Sequence, residues 1–353
     1  MKKYLNLGVV GCGEMSQSFA TLCKLNRYMK IKSCADINST CAQQFAKKYS
    51  IKHWYTDYLS MIQNNELDAI YLSVPHSLHY TILSKAIEVN LHVFCEKPIT
   101  TDINHAIDLC KKSKSKNVKI AVNYQYRYDS SCYQLVMSAH NNILGDLYYC
   151  RCNVPWHRTQ DYFDSSPWRG RISEAGGGTL LTHASHVLDI ALWAFGKQPS
   201  FALGTISQKK FKNIDVEDTA MGIVEMEDAS LINITSSIAS TPEQKVSIEL
   251  YGSKGTALYT GPDYPPFSHI RFKGVKAKRY KLPIKGLFSY QRSLEAFRQW
   301  ILYDVPYLCP IEASLPVLSA ITAIYHSSQS GKRVKVDKQF DNTKINRRLP
   351  HEK

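Results

Sequence analysis

Tyr4-Leu5-Asn6-Leu7-Gly8-Val9-Val10-Gly11-Cys12-Gly13-Glu14-Met15-Ser16 is the stretch on which the reading of the fold turns. Residues 4–10 form a short apolar run with little alternation, the pattern of a strand buried on both faces as a parallel sheet requires. Beyond the glycines, residues 15–29 predict a helix with Phe19, Leu22, Cys23 and Leu25 turned inward, and residues 31–35 predict a second strand that ends at Asp36. Together they make one βαβ unit. In that setting Gly11-Cys12-Gly13-Glu14-Met15-Ser16 is a G-x-G-x-x-S variant of the dinucleotide fingerprint. Gly11 permits the tight turn, Gly13 lets the backbone approach a pyrophosphate, and the helix N-terminus offers unpaired N–H groups. Ser16 replaces the third glycine, a packing position that tolerates a small side chain. Asp36 stands about 20 residues further on, where the acid that binds the adenosine ribose belongs. Ile37 and Asn38 bring no cation for a 2′-phosphate, so NAD is expected in preference to NADP.

The alternation continues outward from this unit. Helices are predicted at about 41–49, 79–90 and 104–112, and strands at 69–74, 92–95 and 119–123. This gives a doubly wound α/β domain, a Rossmann-type parallel sheet, over residues 1–124. The rhythm then changes. A helix at 130–141, an extended stretch at 147–154, a long loop at 155–178 rich in Trp, Arg, Asp and Gly, and a helix at 179–195 lead into alternating runs at 202–207, 218–226, 231–237, 243–251 and 256–260. Helices return at 290–303 and 312–330. Residues 125–340 therefore read as an α+β domain with a large, open, mostly antiparallel sheet, whose second face needs a cover that a partner subunit could supply. Residues 341–353 read as a flexible basic tail.

Composition agrees with an ordinary globular protein of about two folding units: 353 residues, 44% hydrophobic and 21% charged, neither disordered nor collagenous. The formal charge of +14 favours anionic company. It is dispersed in short runs, Lys111 to Lys116, Lys273 to Lys281 and the tail with Arg347 and Arg348. Without a continuous basic helix, it reads as solubility or the steering of an anionic small molecule, and no nucleic-acid partner is expected. The 10 cysteines include no C-x-x-C, and only Cys150 and Cys152 lie close, so reduced thiols are expected and no metal site. The N-terminal apolar run is too short for a signal peptide or a membrane span. A cytoplasmic protein without membrane contact is expected.

In an open parallel sheet, ligands bind outside the carboxyl ends of the strands. Ser73, Val74 and Pro75, with His79 just beyond, and Glu96, Lys97 and Pro98 end successive predicted strands, so both segments should face one crevice. Lys97 is a candidate for the chemistry there, an exposed Glu–Lys pair being the alternative. On the predicted helix 179–195, Leu180, Ala184, Val187, Leu188, Ala191 and Phe195 make an apolar stripe, while Thr182, His186 and Asp189 share another face just after a glycine run. Such a column is either a site wall or a histidine bonding a carbonyl in the interior. His183, one step round, could also reach the crevice.

Taken in order, GVVGCGEM, Glu96-Lys97-Pro98, Gly176-Gly177-Gly178 leading to His186 and Asp189, Glu217-Asp218-Thr219 and Gly252-Ser253-Lys254-Gly255-Thr256 resemble the Gfo/Idh/MocA oxidoreductases over about residues 4 to 335. The resemblance implies a nicotinamide-dependent sugar or cyclitol dehydrogenase. Lys97 and His186 are then its catalytic residues, Gln125 lines the crevice beside the cofactor and Arg127 beside the substrate, and the open sheet makes a homodimer or homotetramer. The chain departs from the family in having Thr182 where an Asp commonly precedes the histidine by four residues. A threonine cannot act as the carboxylate that charges or orients an imidazole.

The loop from Trp156-His157-Arg158 through Tyr162-Phe163 to Trp168-Arg169-Gly170 is similar to that of bacterial nucleotide-sugar 3-dehydrogenases. Aromatic faces stack on sugars or a nicotinamide, and guanidinium groups bind phosphate or carboxylate; alternatively the Trp rings close the interdomain core and the Arg residues cap it. The resemblance puts Trp168 and Arg169 on the cofactor, and Trp156, Arg158, Thr182 and His183 on the substrate beside Lys97 and His186. The expected reaction is hydride transfer to NAD from C3 of a UDP-linked N-acetylhexosamine or its uronate. A keto-sugar reductase or another sugar dehydrogenase is the alternative within the class, and a catalytically silent NAD-binding sensor or scaffold the alternative outside it.

Overall fold

Six short apolar runs form one parallel sheet in the computed structural model, which describes residues 3–63, 66–261 and 268–337. They are β1 (Leu5–Val10), β2 (Met29–Ala35), β3 (His53–Tyr55), β4 (Ala69–Leu72), β5 (His92–Cys95) and β6 (Ile120–Val122), in spatial order β3-β2-β1-β4-β5-β6. Helices α1 (Glu14–Leu25), α2 (Ser39–Tyr49), α3 (Tyr58–Gln63), α4 (His79–Glu88) and α5 (Ile103–Ser115) connect them. Cover on both faces explains why β1, β4, β5 and β6 are apolar almost throughout. The strand order reverses between β1 and β4, and their carboxyl ends open a crevice there.

The first helix ends earlier than its periodicity predicts. Asn26 takes extended backbone, donates to the Cys23 carbonyl and accepts from the Tyr28 N–H, so β2 starts at Met29 and Leu25 is 75% exposed instead of inward. An asparagine that bonds its own neighbourhood competes with the helix. β3, α3 and the two later strands at His269–Lys273 and Val334–Lys335 have no counterpart in the sequence reading; each is short or carries alternating charge.

The second sheet contains β7 (Leu147–Pro155), β8 (Pro199–Ser207), β9 (Thr219–Met226), β10 (Leu231–Ser237), β11 (Ser247–Gly252), β12 (Thr256–Thr260), β13 (His269–Lys273) and β14 (Val334–Lys335), in order β13-β12-β11-β7-β10-β9-β8-β14. Only the β7–β10 pair is parallel. Around it lie α6 (Ser130–His140), the short α7 (Asp161–Asp164) and α8 (Ile172–Ala175), then α9 (Ser185–Phe195), α10 (Ser289–Tyr303) and α11 (Leu315–Ser330). α6, α9 and α11 pack on one face. Tyr148, Tyr149, Leu203, Met221, Ile223 and Leu231 are exposed along these strands, which is why the strands alternate.

The two sheets share cover. The Phe94 ring of β5 packs on Phe297 of α10 at 5.3 Å and on Tyr307 at 6.4 Å. The chain then returns to the edge of β6, where Ala121 bridges to Pro310 and Val122 N–H donates to the Cys309 carbonyl at 3.0 Å. The cysteines are free thiols. Among the described residues no group of three His, Cys, Asp or Glu side chains could hold a metal ion, and no helix is long and apolar enough to cross a membrane. The tail expected at 341–353 lies outside the described residues.

Candidate active site

Gly11 has φ +85, and a Cβ there would stand 2.0 Å from the Ser73 carbonyl oxygen, so only glycine lets β1 turn past the end of β4. At Gly13 a Cβ would meet nothing within 4 Å, and α1 begins there without a side-chain cap. Open space before an uncapped helix N-terminus, at Glu14 and Met15, fits a pyrophosphate. Ser16, fully buried, donates to the Gly11 carbonyl at 2.5 Å and so ties the loop that a third glycine would only have packed. Asp36 accepts from the Cys12 N–H at 2.8 Å and from the Asn38 N–H at 2.9 Å. Those bonds aim its carboxylate across the loop, and its remaining lone pairs fit ribose hydroxyls.

β4 and β5 end side by side, Leu72 opposite Cys95, so Ser73-Val74-Pro75 and Glu96-Lys97-Pro98 leave the sheet together. Two residues expected at the crevice brace these turns. His79 is fully buried, with Nδ1 2.9 Å from the Pro98 carbonyl oxygen and Nε2 3.2 Å from that of Val74. Burial lowers its pKa to about 4, so the neutral ring donates its one N–H to one of these two carbonyls. Glu96 is likewise buried, its Oε1 accepting from Asn123 at 2.8 Å, Tyr71 at 2.9 Å and Tyr290 at 3.1 Å. Burial holds this carboxyl above its usual range against those donors. Lys97 follows, and its Nζ donates to the backbone carbonyl of Thr182 on the opposite wall. Burial lowers the Lys97 ammonium to about 8, with Glu96 opposing and Arg169 assisting.

That opposite wall is built by Glu217. Its carboxylate accepts from the Gly178 N–H at 2.7 Å, the Leu180 N–H at 2.9 Å and the Tyr325 hydroxyl at 2.9 Å, satisfying donors at the head of the next helix. A Cβ at Gly178 would lie 1.9 Å from the Glu217 carbonyl oxygen, which explains the glycine. The helix does not begin as α: Leu180–Ala184 is a π turn, followed by α9. Such turns recur at functional sites.

The expected column of Thr182, His186 and Asp189 is accordingly broken up. Thr182 donates its hydroxyl to the Gly178 carbonyl at 2.6 Å and lies 2.8 Å from His183 Nδ1. His183 packs against Trp156 at 5.3 Å and Tyr162 at 5.7 Å. His186 stacks on Tyr126 at 4.9 Å with Tyr124 edge-on at 5.5 Å, and its Nδ1 is buried without a hydrogen-bond partner. Burial pushes both imidazoles well below their ordinary pKa, with Lys97 adding to the effect on each. Asp189 and Arg127 pair with each other. Asp189 is fully buried, and Arg127 forks onto it at 2.8 and 2.7 Å while donating to the Leu308 and Ala313 carbonyls at 2.6 and 3.2 Å. The guanidinium is thus committed to protein partners, and Arg127 is 3% exposed. Gln125 is partly buried, and its Oε1 has no partner.

The long loop folds over both walls. The Arg158 guanidinium lies 5.1 Å from the Trp156 ring and 5.9 Å from that of Tyr162, and Arg169 lies 4.5 Å from Tyr162. Arg169 also reaches Glu14 of the glycine loop at 3.3 Å. Trp168 meets His76 edge-on at 4.9 Å, and His76 holds the Ala175 carbonyl at 2.7 Å. Contacts thus link Lys97, Thr182, His183, Trp156, Arg158 and Arg169 in one region reaching to the glycine loop, with His186 beside it. Tyr126 and the part played by Tyr162 were not assigned from sequence. The aromatic spacing around Arg127 and Arg158 was the available signal.

Two family profiles match the chain: "Oxidoreductase family, NAD-binding Rossmann fold" over residues 5–124, and "Oxidoreductase family, C-terminal alpha/beta domain" over residues 140–336. The D-glucoside 3-dehydrogenase of Escherichia coli is 22% identical over 360 residues, covering 94% of this chain and 97% of that protein. The WlbA dehydrogenase of Bordetella pertussis, solved in complex with NADH and UDP-GlcNAcA, superposes with a TM-score of 0.83 at 22% identity, covering 95% of this chain and 100% of that one. Its counterpart from Chromobacterium violaceum, with the same two ligands, gives 0.85 at 20% identity over 96% and 97% of the chains. At these identities the structural likeness is one of fold.

Proposed function

The chain belongs to the Gfo/Idh/MocA oxidoreductases, and from that premise we propose that it oxidises a ring carbinol of a sugar, C3 of a UDP-linked N-acetylhexosamine or its uronate. NAD supplies the hydride acceptor, or the donor when the reaction runs toward the alcohol. Gly11, Gly13 and the open start of α1 would hold its pyrophosphate and Asp36 its adenosine ribose, with Ser73, Val74 and Pro75 at the strand ends beside it. Lys97 donates to the carbinol oxygen, which stabilises charge developing there and eases loss of its proton. An imidazole of the opposite wall takes that proton, His186 being the one to which the family pattern points.

The single observation that carries this reading is that Lys97, on the turn after β5, reaches the peptide of Thr182 beside both imidazoles. The substrate class is supported by the aromatic faces of Trp156 and Tyr162 with Arg158 and Arg169 against them, a lining suited to a sugar that carries a carboxylate or diphosphate. It is supported also by the D-glucoside 3-dehydrogenase and by the UDP-GlcNAcA in the WlbA complexes. The exposed apolar side chains of the second sheet support association into a homodimer or homotetramer.

The test is NADH formation by the purified protein against UDP-GlcNAc, UDP-GlcNAcA, simple glucosides and myo-inositol. Turnover of a UDP-sugar in preference to the free sugars supports the reading. NAD binding with no reduction by any of them overturns it. Asp36→Ala is expected to weaken NAD roughly 10- to 100-fold, the scale of lost hydrogen bonds to a charged group, and to narrow the preference over NADP. Equal titrations of parent and variant would remove Asp36 from the cofactor site.

A further inference from the structure

We infer that a cleft between α6 and the segment joining β13 to α10 binds a small molecule through a diphosphate group, apart from the crevice that takes the dinucleotide. This second site is independent of which sugar the first one oxidises.

Between Tyr264 and Leu294 the sequence has eight Lys or Arg residues and no Asp or Glu. Cations elsewhere on the surface are answered by acids, Lys85 by Glu88, Lys112 by Asp108 and Lys119 by Asp304. The packing of this segment needs none of its charge. Val275, Tyr280, Leu282 and Ile284 turn in against the main core, while Lys276, Lys278, Arg279, Lys281 and Lys285 are exposed.

The segment is nevertheless held in place. Gln134 of α6 clamps its backbone, accepting from the Tyr280 N–H at 2.6 Å and donating to the Lys278 carbonyl. Arg292 fixes the far end through the carbonyls of Gly286 at 2.9 Å and Tyr128 at 3.1 Å. Gly286 has φ +153, and a Cβ there would stand 2.9 Å from Arg292 Cγ, so glycine is what lets this arginine lie against the turn.

The result is a cleft of about 630 Å³, the size of a small-molecule site. Its charged lining is Lys278, Arg279, Lys281, Lys285 and Arg292, with no carboxylate. Among the described residues none of these five has an ion-pair partner. Asp129, next in the chain to the lining residue Ser130, spends its carboxylate on the N–H groups of Ser131 and Cys132 and on the Ser268 hydroxyl. Cations of one sign around a concavity focus a positive potential, and Arg and Lys donors suit phosphate oxygens. A diphosphate presents two linked anionic groups to cations spread along the cleft. Ile270, Phe272, Leu282 and Ile284 give the body that carries it an apolar bed. Tyr280 adds a hydroxyl that has no hydrogen-bond partner. None of these residues belongs to the region where Lys97, Thr182, Arg158 and Arg169 meet. Leu287 and Phe288 stand beyond the cleft, 77% and 45% exposed, and are the side chains that a bilayer would engage.

The test uses the full chain with saturating NADH, so that the dinucleotide site is filled, and ADP and inorganic pyrophosphate as probes. ADP is expected to slow hydrogen exchange across residues 277–287 and at the start of α6. In calorimetric titration, Lys278→Gln with Lys281→Gln should weaken both probes at least ~10-fold, the scale of lost hydrogen bonds to charged groups, at an unchanged thermal midpoint. Lys111→Gln with Lys114→Gln removes the same charge elsewhere and Arg158→Gln a cation of the crevice; with screening over such separations, each should leave binding within about twofold. Pyrophosphate binding as tightly as ADP supports a site for the phosphates alone, and tighter ADP supports use of the apolar bed as well. An equal loss in the Lys111 and Lys114 variant overturns the inference, because the attraction is then diffuse. So does protection confined to the crevice, or no binding of either probe at millimolar concentration. Association only with phosphatidylglycerol vesicles, abolished by Leu287→Ser with Phe288→Ser, also overturns it and makes the segment a membrane contact.

Discussion

Lys97→Ala is expected to lower turnover at least ~100-fold, the usual scale for a positioned proton donor or acceptor, while NAD titrates as in the parent. The separation follows from where the groups sit. The glycine loop and Asp36 are organised by β1, α1 and β2, and their bonds run to Cys12, Asn38 and Gly11, none of them through Lys97. The lysine side chain crosses instead to Thr182. Its backbone position survives truncation because His79, Glu96, Tyr71, Asn123 and Tyr290 hold the turn independently. The pH dependence has a definite sign. Burial lowers Lys97 to about 8; below that it is an ammonium, which in the proposed reaction stabilises charge on the carbinol oxygen, and above it the charge is lost. Oxidation should therefore show an alkaline limb near pH 8 that vanishes in Lys97→Arg, which keeps its cation throughout. Full turnover by the Ala variant would take Lys97 out of the chemistry.

Asp189→Ala is expected to cost about 3–5 kcal/mol of stability, the range for stranding one member of a buried ion pair. Arg127 is 3% exposed and Asp189 0%, so water does not replace the lost carboxylate. The effect belongs to the stranded charge and not to the pair as such, since a buried pair exchanged for apolar groups of similar volume is often neutral. The double variant Arg127→Met with Asp189→Leu should recover most of the loss in urea denaturation. A double variant as unstable as the single one would show that packing, not charge, dominates there.

The first βαβ unit was legible because its signals are local: an apolar run, two glycines at fixed spacing and an acid at the end of the next strand. The order of later motifs identified the family for a related reason, as each is a turn whose residue types answer a backbone requirement. The bonds that hold other predicted residues were not legible. His79, Glu96 and Arg127 look in sequence like ligand groups, being polar residues at strand ends or beside the crevice. Their partners lie far along the chain, Arg127 on Asp189 and Glu96 on Tyr290, and no local pattern announces them. The π turn at Leu180–Ala184 escaped because apolar spacing fits a regular helix equally well.

The return of Cys309 and Pro310 to the margin of β6, with Phe297 and Tyr307 laid over Phe94, makes the carboxyl-terminal third a structural tenant of the nucleotide-binding half. A truncation after Tyr124 would bare an aromatic surface and an unsatisfied strand margin of the kind that seeds aggregation. Separate expression of the halves is thus a poor route to a minimal dinucleotide binder, and evolutionary or engineered exchange of the second half must carry its last helices along with it.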